Sequence, residues 1–240
     1  MKNYVKSIPR YLKFISNRDI VKLLKEDFMD NKIISKVFLW MFIGLLVTFL
    51  TGYVVSINEN MLISVFSTGT YIFFSILELI LVIVLSARIR KMKPTTCKTM
   101  FILYSFVSGL TFSSIFVVYK ITSIIYIFLI ASLIFGIFSL IGYKTNIDLT
   151  KIGTYLIMAL FGIIICSLIN LFIKNNTFDL IISSITIIIF MGITAYDIQK
   201  IKNNYTMIPE ENMAIYGALQ LYLDYINIFL HLLSIFGDDK

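Results

Sequence analysis

The sequence predicts an all-α polytopic membrane protein with seven transmembrane helices, and three observations carry this prediction. The mean hydropathy is +0.89, and 58% of the 240 residues are apolar while only 15% are charged. Ordinary globular proteins have roughly 25% charged residues. The apolar residues form long continuous runs, whereas a membrane β-barrel would show alternating segments of about 10 residues. Seven of these runs reach or approach the ~20 residues that a helix needs to cross the bilayer.

Short polar connections separate the seven runs. The first has 22 residues without a charge, and the second has 28 residues with Glu78 as its one charge. The next three have 21, 23 and 22 residues, the sixth has 17 and ends just before Asp197, and Asp224 divides the seventh. The runs are 37–58, 60–87, 99–119, 121–143, 152–173, 180–196 and 212–237. We therefore expect a basic amino-terminal segment at 1–36, a transmembrane domain at 37–237 and a short carboxyl tail at 238–240.

The 21 Lys and Arg residues are divided unequally between alternate connections. Eighteen lie in residues 1–36 and in the connections that follow the second, fourth and sixth runs, while the other side has Lys120, Lys174 and Lys240. Cytoplasmic loops of membrane proteins carry the excess of positive charge. We therefore expect a multi-pass plasma-membrane protein with a cytoplasmic amino terminus and, if the last run spans fully, an outside carboxyl terminus. Because topology accounts for the net charge of +7, the expected partner is the lipid bilayer and not a nucleic acid.

Three acidic residues lie within the apolar runs or at their ends. Asp224 is near the middle of the seventh run, Asp197 is at the inner end of the sixth, and Glu78 is near the middle of the second. A charge at the centre of a membrane helix costs from about 3 to more than 10 kcal/mol. Such a cost indicates that the residue faces a cavity or a partner charge. Two alternatives remain: Asp197 could be a charged residue at the membrane interface, and Glu78 could form a purely structural hydrogen bond between helices. We expect Asp197 and Asp224 to meet in the inner half of the membrane.

Helical spacing places a polar face along the seventh run. Its members follow at steps of 3, 4, 3 and 4 residues, which brings them to one side of a helix; they are Gly217, Gln220, Asp224, Asn227 and His231. We predict that Gln220 and Asn227 line a polar path beside Asp224. His231 is interpreted as a side chain at the outer membrane interface.

Two carboxylates that lie close together in a low dielectric cannot both ionise freely. The Asp197/Asp224 pair can therefore share a proton, bind a hard divalent cation or capture an arginine. Calcium prefers carboxylate and carbonyl oxygens, so the two residues are candidate calcium ligands. Arg88 and Arg90 lie at the cytoplasmic end of the second run, within reach of the pair, although both also fit a plain topological role. A conducting path with a proton-sensitive gate follows as a hypothesis.

Four segments carry a resemblance to a known family. Residues 218–237 read ALQLYLDYINIFLHLLSIFG, and residues 194–202 read TAYDIQKIK. Residues 108–116 read SGLTFSSIF, and residues 75–78 read SILE. They resemble, respectively, the last, sixth, third and second spans of the Bax inhibitor-1 family, also called the transmembrane Bax inhibitor motif family. Apart from the resemblance, the serine and glycine residues of the third run also indicate close helix packing.

The resemblance implies a fold in which the seventh helix is central and surrounded by the other six. Bacterial members of the family look like pH-sensitive calcium leak channels, and their acidic pair corresponds to Asp197 and Asp224. The second-span glutamate corresponds to Glu78, which we expect to line the pore. The family's latch arginine corresponds to Arg88 or Arg90; neither keeps the usual offset from the glutamate, and we favour Arg88. Calcium ions and protons would be the ligands, and no tightly bound cofactor is expected.

Two other function classes compete with a bacterial calcium leak. An interaction protein could regulate a membrane-bound protease or another channel, with residues 1–36 as the docking segment. An intramembrane aspartyl protease also carries two membrane aspartates, and Tyr196 before Asp197 fits its first motif. Its second motif requires Gly-x-Gly-Asp, whereas this chain has Leu221, Tyr222 and Leu223 before Asp224. We therefore expect that the protein is not an enzyme.

Overall fold

A computed structural model describes the backbone of residues 17–204 and 208–240 and the side chains from residue 31 onward. Within these ranges the chain forms eight helices and no strand. Seven of the helices are long and apolar enough to cross a membrane, which confirms the seven-span prediction. The helices are α1 (Asn17–Ile57), α2 (Glu59–Phe66), α3 (Thr68–Arg88), α4 (Pro94–Val118), α5 (Ile121–Lys144), α6 (Thr150–Ile173), α7 (Asn176–Asn204) and α8 (Glu210–Phe236).

Helix α1 begins well before the first apolar run. It starts at Asn17, inside the segment predicted as an amino-terminal tail, whereas the apolar run starts at Val37. Residues 17–36 contain no Gly or Pro and are rich in the straight-chain residues and leucines that favour helix. The helix therefore continues through the basic segment without a break. The spacing of Ile15, Ile20, Leu23, Leu24 and Phe28 also predicts an amphipathic helix in this segment, a prediction that falls outside the described side chains.

The second apolar run is divided between two helices. Its 28 residues would form a helix of about 42 Å, which exceeds the ~30 Å of the hydrocarbon core. The break falls at Ser67, whose ψ of 135° is not helical and whose hydroxyl donates to the Thr70 hydroxyl at 2.8 Å. The short helix α2 takes the surplus residues, and the 21-residue helix α3 forms the span.

Helix α8 is the core of the bundle. No residue from 210 to 233 is exposed, and the helix packs against α1, α4, α5 and α7. The connection after α3 also reaches it, because the Asn212 side-chain amide donates to the carbonyls of Ile89 (2.7 Å) and Met92 (2.9 Å). Helix α6 packs mainly against α7. The last apolar run thus has the central place that the family resemblance implied.

The carboxyl end of the chain is held against the connection between α4 and α5. The backbone N–H of Lys120 donates to the Asp238 carbonyl, and the N–H of Lys240 donates to the Val118 carbonyl, both at 2.9 Å. The opposite end of the bundle holds the start of the α1 span, where the Tyr143 hydroxyl donates to Asn31 Oδ1 at 2.6 Å. Helix α8 therefore passes through the whole bundle and is not re-entrant.

Two glycines mark close crossings between helices. A Cβ on Gly109 of α4 would lie 2.6 Å from the Thr51 Cβ of α1, so the small residues of the third run do allow close packing there. A Cβ on Gly142 of α5 would lie 2.1 Å from the carbonyl oxygen of Ala195 on α7. The second crossing fixes the part of α7 that precedes Asp197.

Candidate functional site

Helices α7 and α8 bring two aspartates into the interior of the bundle. Asp197 lies near the end of α7 with 5% of its surface exposed, and Asp224 lies at the middle of α8 with 3% exposed. Each helix is long and uninterrupted at its aspartate. Both carboxylates are therefore carried by rigid elements and are screened from solvent by the surrounding helices.

The two carboxylates lie close enough to interact electrostatically. The Thr194 side chain, one helical turn before Asp197, also faces Asp224. One oxygen of Asp224, Oδ2, is buried and has no hydrogen-bond partner in the described part of the chain. A buried polar atom without a partner costs about 1–3 kcal/mol, and more when it is charged. The site thus has an open position for a proton or a cation beside Asp224.

Lys200 is a cation that interacts with both members of this pair. It follows Asp197 by three positions, a spacing that puts both on one face of α7. Its side chain is half-buried, with Nζ 5.4 Å from the centre of the Tyr196 ring. Our sequence analysis counted Lys200 only as a topological charge. The three-residue spacing from a membrane aspartate was the signal that could have identified it.

A basic cavity opens beside Lys200 at the end of the bundle that holds the α3–α4 connection. It has a volume of about 260 Å³. Its lining residues come from the end of α3, the end of α7, the start of α8 and the segments next to them, and they are Ser86, Ile89, Arg90, Lys200, Asn204, Ile208, Met213 and Tyr216. Arg90 and Lys200 therefore share one cavity, and Lys200 links that cavity to the acidic pair.

The two candidate latch arginines lie in different surroundings. Arg90 lines the basic cavity with Lys200. Both arginines are exposed, but Arg88 lines a separate depression with Lys91 and Met92. Neither arginine forms an ion pair with an acidic residue of the described chain in this conformation. The two arginines therefore differ in one respect: Arg90 shares a cavity with Lys200, and Arg88 does not.

Glu78 lies in a second polar cluster and not beside the acidic pair. Its carboxylate accepts hydrogen bonds from Ser108 Oγ at 2.5 Å and from Thr111 Oγ1 at 2.9 Å, both on α4. Tyr222 of α8 interacts electrostatically with Glu78, and its hydroxyl lies 2.8 Å from Thr48 Oγ1 of α1. The cluster thus joins α3, α4, α8 and α1. Our sequence analysis singled out Glu78 and Ser108 but missed Tyr222 and Thr48, because an apolar run gives no sign of which tyrosine or threonine is buried.

The other polar residues of α8 have mainly local contacts. Gln220 and Asn227 are half-buried, and the Asn227 side-chain amide donates to the Leu223 carbonyl of its own helix at 2.8 Å. His231 is also half-buried, with Nδ1 3.0 Å from Ser183 Oγ of α7. The polar face of α8 therefore meets α7 at both Asp224 and His231. A role of Gln220 and Asn227 in lining a path stays a prediction.

An ion-pair cluster holds the first turn of α8, and no sequence motif pointed to it. Lys36 of α1 lies 2.8 Å from Glu210 and 2.5 Å from Glu211, and Lys98 of α4 lies 2.6 Å from Glu211. Lys32 adds a fourth contact, 3.2 Å from Glu210. The acidic side chains also lie at the positive end of the α8 dipole, where negative charge is favoured. The cluster ties the start of α8 to α1 and α4.

The donor set beside Asp224 fits a transient cation better than a resident one. Calcium takes six to eight oxygen ligands, roughly, when it is bound in a protein cage. The described residues contain no group of three or more His, Cys, Asp or Glu that could hold a metal ion. Asp197, Asp224 and Thr194 offer carboxylate and hydroxyl oxygens, so a calcium ion here would keep much of its water.

Outside the membrane spans, Asp148 provides a contrast to the buried pair. It lies in the connection between α5 and α6, and its Oδ1 accepts a hydrogen bond from the Thr150 backbone N–H at 2.9 Å. Hydrogen bonds from Thr150 lower the pKa of the Asp148 carboxyl. Asp148 is therefore ionised at neutral pH and has no part in the buried cluster.

The fold and the buried acidic residues together define an all-helical, multi-pass membrane protein with a polar interior. A family model described as "Inhibitor of apoptosis-promoting Bax1" matches residues 30–240. The chain therefore belongs to the Bax inhibitor-1 family, which confirms the assignment made from the four motifs.

Bacterial proteins are similar to the chain over most of its length. An uncharacterized protein of Borreliella burgdorferi is 38% identical over 228 residues, which cover 92% of this chain and 98% of that protein. The inner membrane protein YbhL of Escherichia coli is 40% identical over 213 residues, which cover 86% of this chain and 91% of that protein. An uncharacterized membrane protein of Streptococcus pyogenes is 40% identical over 185 residues, 75% of this chain and 80% of that protein.

Proposed function

We propose that the protein is a proton-sensitive calcium leak channel of a bacterial plasma membrane, controlled by Asp197 and Asp224. The observation that carries this proposal is the buried pair of interacting carboxylates on α7 and α8, with one Asp224 oxygen left without a hydrogen-bond partner. Membrane carboxylates that face a bundle interior are typical of ion and proton pathways. The similar bacterial proteins include an inner membrane protein and another membrane protein, which supports a location in a bacterial membrane.

The Thr194 hydroxyl lies beside the pair, where it interacts with Asp224 and is 2.8 Å from the Phe190 carbonyl. A hydroxyl can donate one hydrogen bond and accept others, so Thr194 fits both an ionised and a protonated Asp224. A proton held between α7 and α8 would keep the two helices together and the path closed.

Loss of that proton would open the path by charge repulsion. Two ionised carboxylates repel each other strongly in a low dielectric, and one of them would be drawn to a nearby cation. Arg90 suits this latch role better than Arg88, because Arg90 shares a cavity with Lys200, which already interacts with Asp197. On this basis calcium flux rises as the pH rises and the pair loses its proton.

Calcium release from liposomes tests the proposal. Purified protein is reconstituted with a calcium-sensitive dye, and the flux is measured from acidic to alkaline pH. We expect the wild type to leak more at alkaline pH by about tenfold, the change that ~1.4 kcal/mol of charge interaction produces in an equilibrium. Asp197→Asn and Asp224→Asn should both lose this pH dependence, because the one carboxyl that remains has no second carboxylate with which to share a proton or to repel.

Asp148→Asn is the matched control, since it makes the same chemical change at an exposed carboxyl outside the membrane. It should keep the pH dependence of the wild type. Retained pH-dependent flux in both Asp197→Asn and Asp224→Asn would contradict the gating role of the pair. A wild type that passes no calcium above protein-free liposomes would contradict conduction itself.

An interaction protein that regulates a membrane protease or another channel is the second candidate, and α1 favours it. The helix starts at Asn17, twenty residues before the apolar run that begins at Val37, so its polar first turns would be the docking element. Deleting residues 1–30 separates the two functions. A channel should keep its flux after the deletion, whereas a docking protein should lose the partner that co-purifies with the full chain.

A further inference from the structure

We propose that the basic cavity lined by Arg90 and Lys200 binds a phosphate group. Arg90 of the α3–α4 connection and Lys200 of α7 line one space of about 260 Å³, and no Asp or Glu is among the described residues that line it. Concentrated positive charge without a lining carboxylate favours an anion. This inference is independent of calcium conduction.

The partners of the two cations leave room for an anion. Arg90 makes no ion pair or hydrogen bond with any other described residue, so its guanidinium can offer several N–H donors in a planar fork. Lys200 contacts the Tyr216 side chain and interacts with Asp197, but an ammonium has three donors. Ser86 adds a hydroxyl to the lining. Guanidinium, ammonium and hydroxyl donors around one space are the groups that proteins use for phosphate.

The size and position of the cavity indicate which kind of phosphate-bearing molecule it can hold. A volume of about 260 Å³ lies below the roughly 300–1,000 Å³ of clefts that hold a drug-sized ligand. The cavity therefore accommodates a headgroup or a free phosphate and not a whole lipid. It lies where α3 and α7 end and α8 begins, at the lysine-rich end of the bundle. Basic pockets between helices at this level bind anionic lipid headgroups.

Phosphate binding would also affect the latch, a consequence that rests on the proposed function. An anion beside Arg90 would compete with the Asp197 carboxylate for the same guanidinium. Bound phosphate would then hold Arg90 in the cavity and keep it away from the acidic pair. A lipid or a soluble phosphate would thereby favour the closed arrangement.

Binding to the full chain in neutral detergent tests the proposal in two arms. One arm adds short-chain phosphatidylglycerol, with phosphatidylcholine as the neutral reference, and the other adds inorganic phosphate; native mass spectrometry and calorimetry measure binding. We expect saturable binding in at least one arm, weakened about tenfold or more by Arg90→Gln and by Lys200→Gln through the loss of a charge-assisted hydrogen bond. Binding of the lipid alone identifies a headgroup, and binding of both identifies a general phosphate site.

Lys91→Gln is the matched control, because Lys91 is an exposed cation one residue from Arg90 that lines the separate depression. It should bind like the wild type. The proposal is overturned if neither ligand binds better than phosphatidylcholine. It is also overturned if Arg90→Gln and Lys200→Gln bind as tightly as the wild type, or if Lys91→Gln weakens binding as much as they do. Unchanged elution of each variant on size exclusion shows that it is folded.

Discussion

Asp197 and Asp224 show how the surroundings of a residue determine what it can do. Both are carboxylates in the interior of the bundle, yet their surroundings differ. Asp197 has Lys200 on its own helix, whereas Asp224 has the Thr194 side chain and an oxygen without a partner. Because of this asymmetry, burial of the charge costs more free energy at Asp224 than at Asp197. A proton or cation bound at Asp224 therefore offsets the larger of the two costs.

Glu78 represents the opposite case, a membrane carboxylate whose hydrogen bonds are satisfied. We predict that Ser108→Ala destabilises the protein by about 1–3 kcal/mol, because it removes the shorter of the two hydrogen bonds to Glu78 and leaves an oxygen of this half-buried carboxylate without a partner. Thermal unfolding in detergent measures the change. Ser184→Ala is the control, since Ser184 is exposed and bonds only to its own helix. Equal stability of both variants would show that the Ser108–Glu78 contact contributes nothing.

The crossing of α5 and α7 depends on the absence of a side chain at Gly142. We predict that Gly142→Ala lowers the unfolding temperature, because its Cβ would overlap the Ala195 carbonyl oxygen and force the two helices apart. Gly136 is a matched control on the same helix, with no atom within 4 Å of its added Cβ. Gly136→Ala should be neutral or stabilising by up to about 1 kcal/mol, the helix propensity difference between Gly and Ala. The reverse order of the two variants would contradict this packing.

The first turn of α8 is held by ion pairs at the surface of the bundle. We predict that Glu211→Gln lowers stability by about 1 kcal/mol or less, because its pairs with Lys36 and Lys98 are partly exposed and screened by solvent. The loss should shrink in high salt, which weakens exposed ion pairs. Unfolding at low and high salt measures it, with Glu59→Gln as an exposed control in α2. A loss that does not depend on salt would contradict an electrostatic origin.

For the whole molecule, hydrophobic length was sufficient to predict seven spans, whereas the central position of the last one was implied by the family resemblance. Neither could predict the break at Ser67, because the run is apolar on both sides and only its excess length argued for a division. They also could not predict that helix α1 begins at Asn17. A change from apolar to polar residues marks the end of a membrane span, but a helix can continue past that point.

The candidate site was predicted in part for similar reasons. A charge in an apolar run is conspicuous, so Asp197, Asp224 and Glu78 were identified from the sequence. Lys200 could have been identified by its three-residue spacing from Asp197, whereas Tyr222 lies in a run rich in aromatic residues, so nothing in the sequence separates Tyr222 from its neighbours. Their roles depend on which helix faces which, and only the packing of α8 against α1 and α7 determines that.

The central claim is that the two aspartates act as one unit, and a double-mutant cycle on calcium flux tests it most directly. The flux of Asp197→Asn, Asp224→Asn and the double variant is measured at acidic and at alkaline pH in the same liposomes. Residues that share one proton are not additive, so we predict that the double variant has the same pH-independent flux as either single variant. Additive effects, in which each single variant keeps part of the pH dependence and only the double variant loses it, would contradict the shared proton.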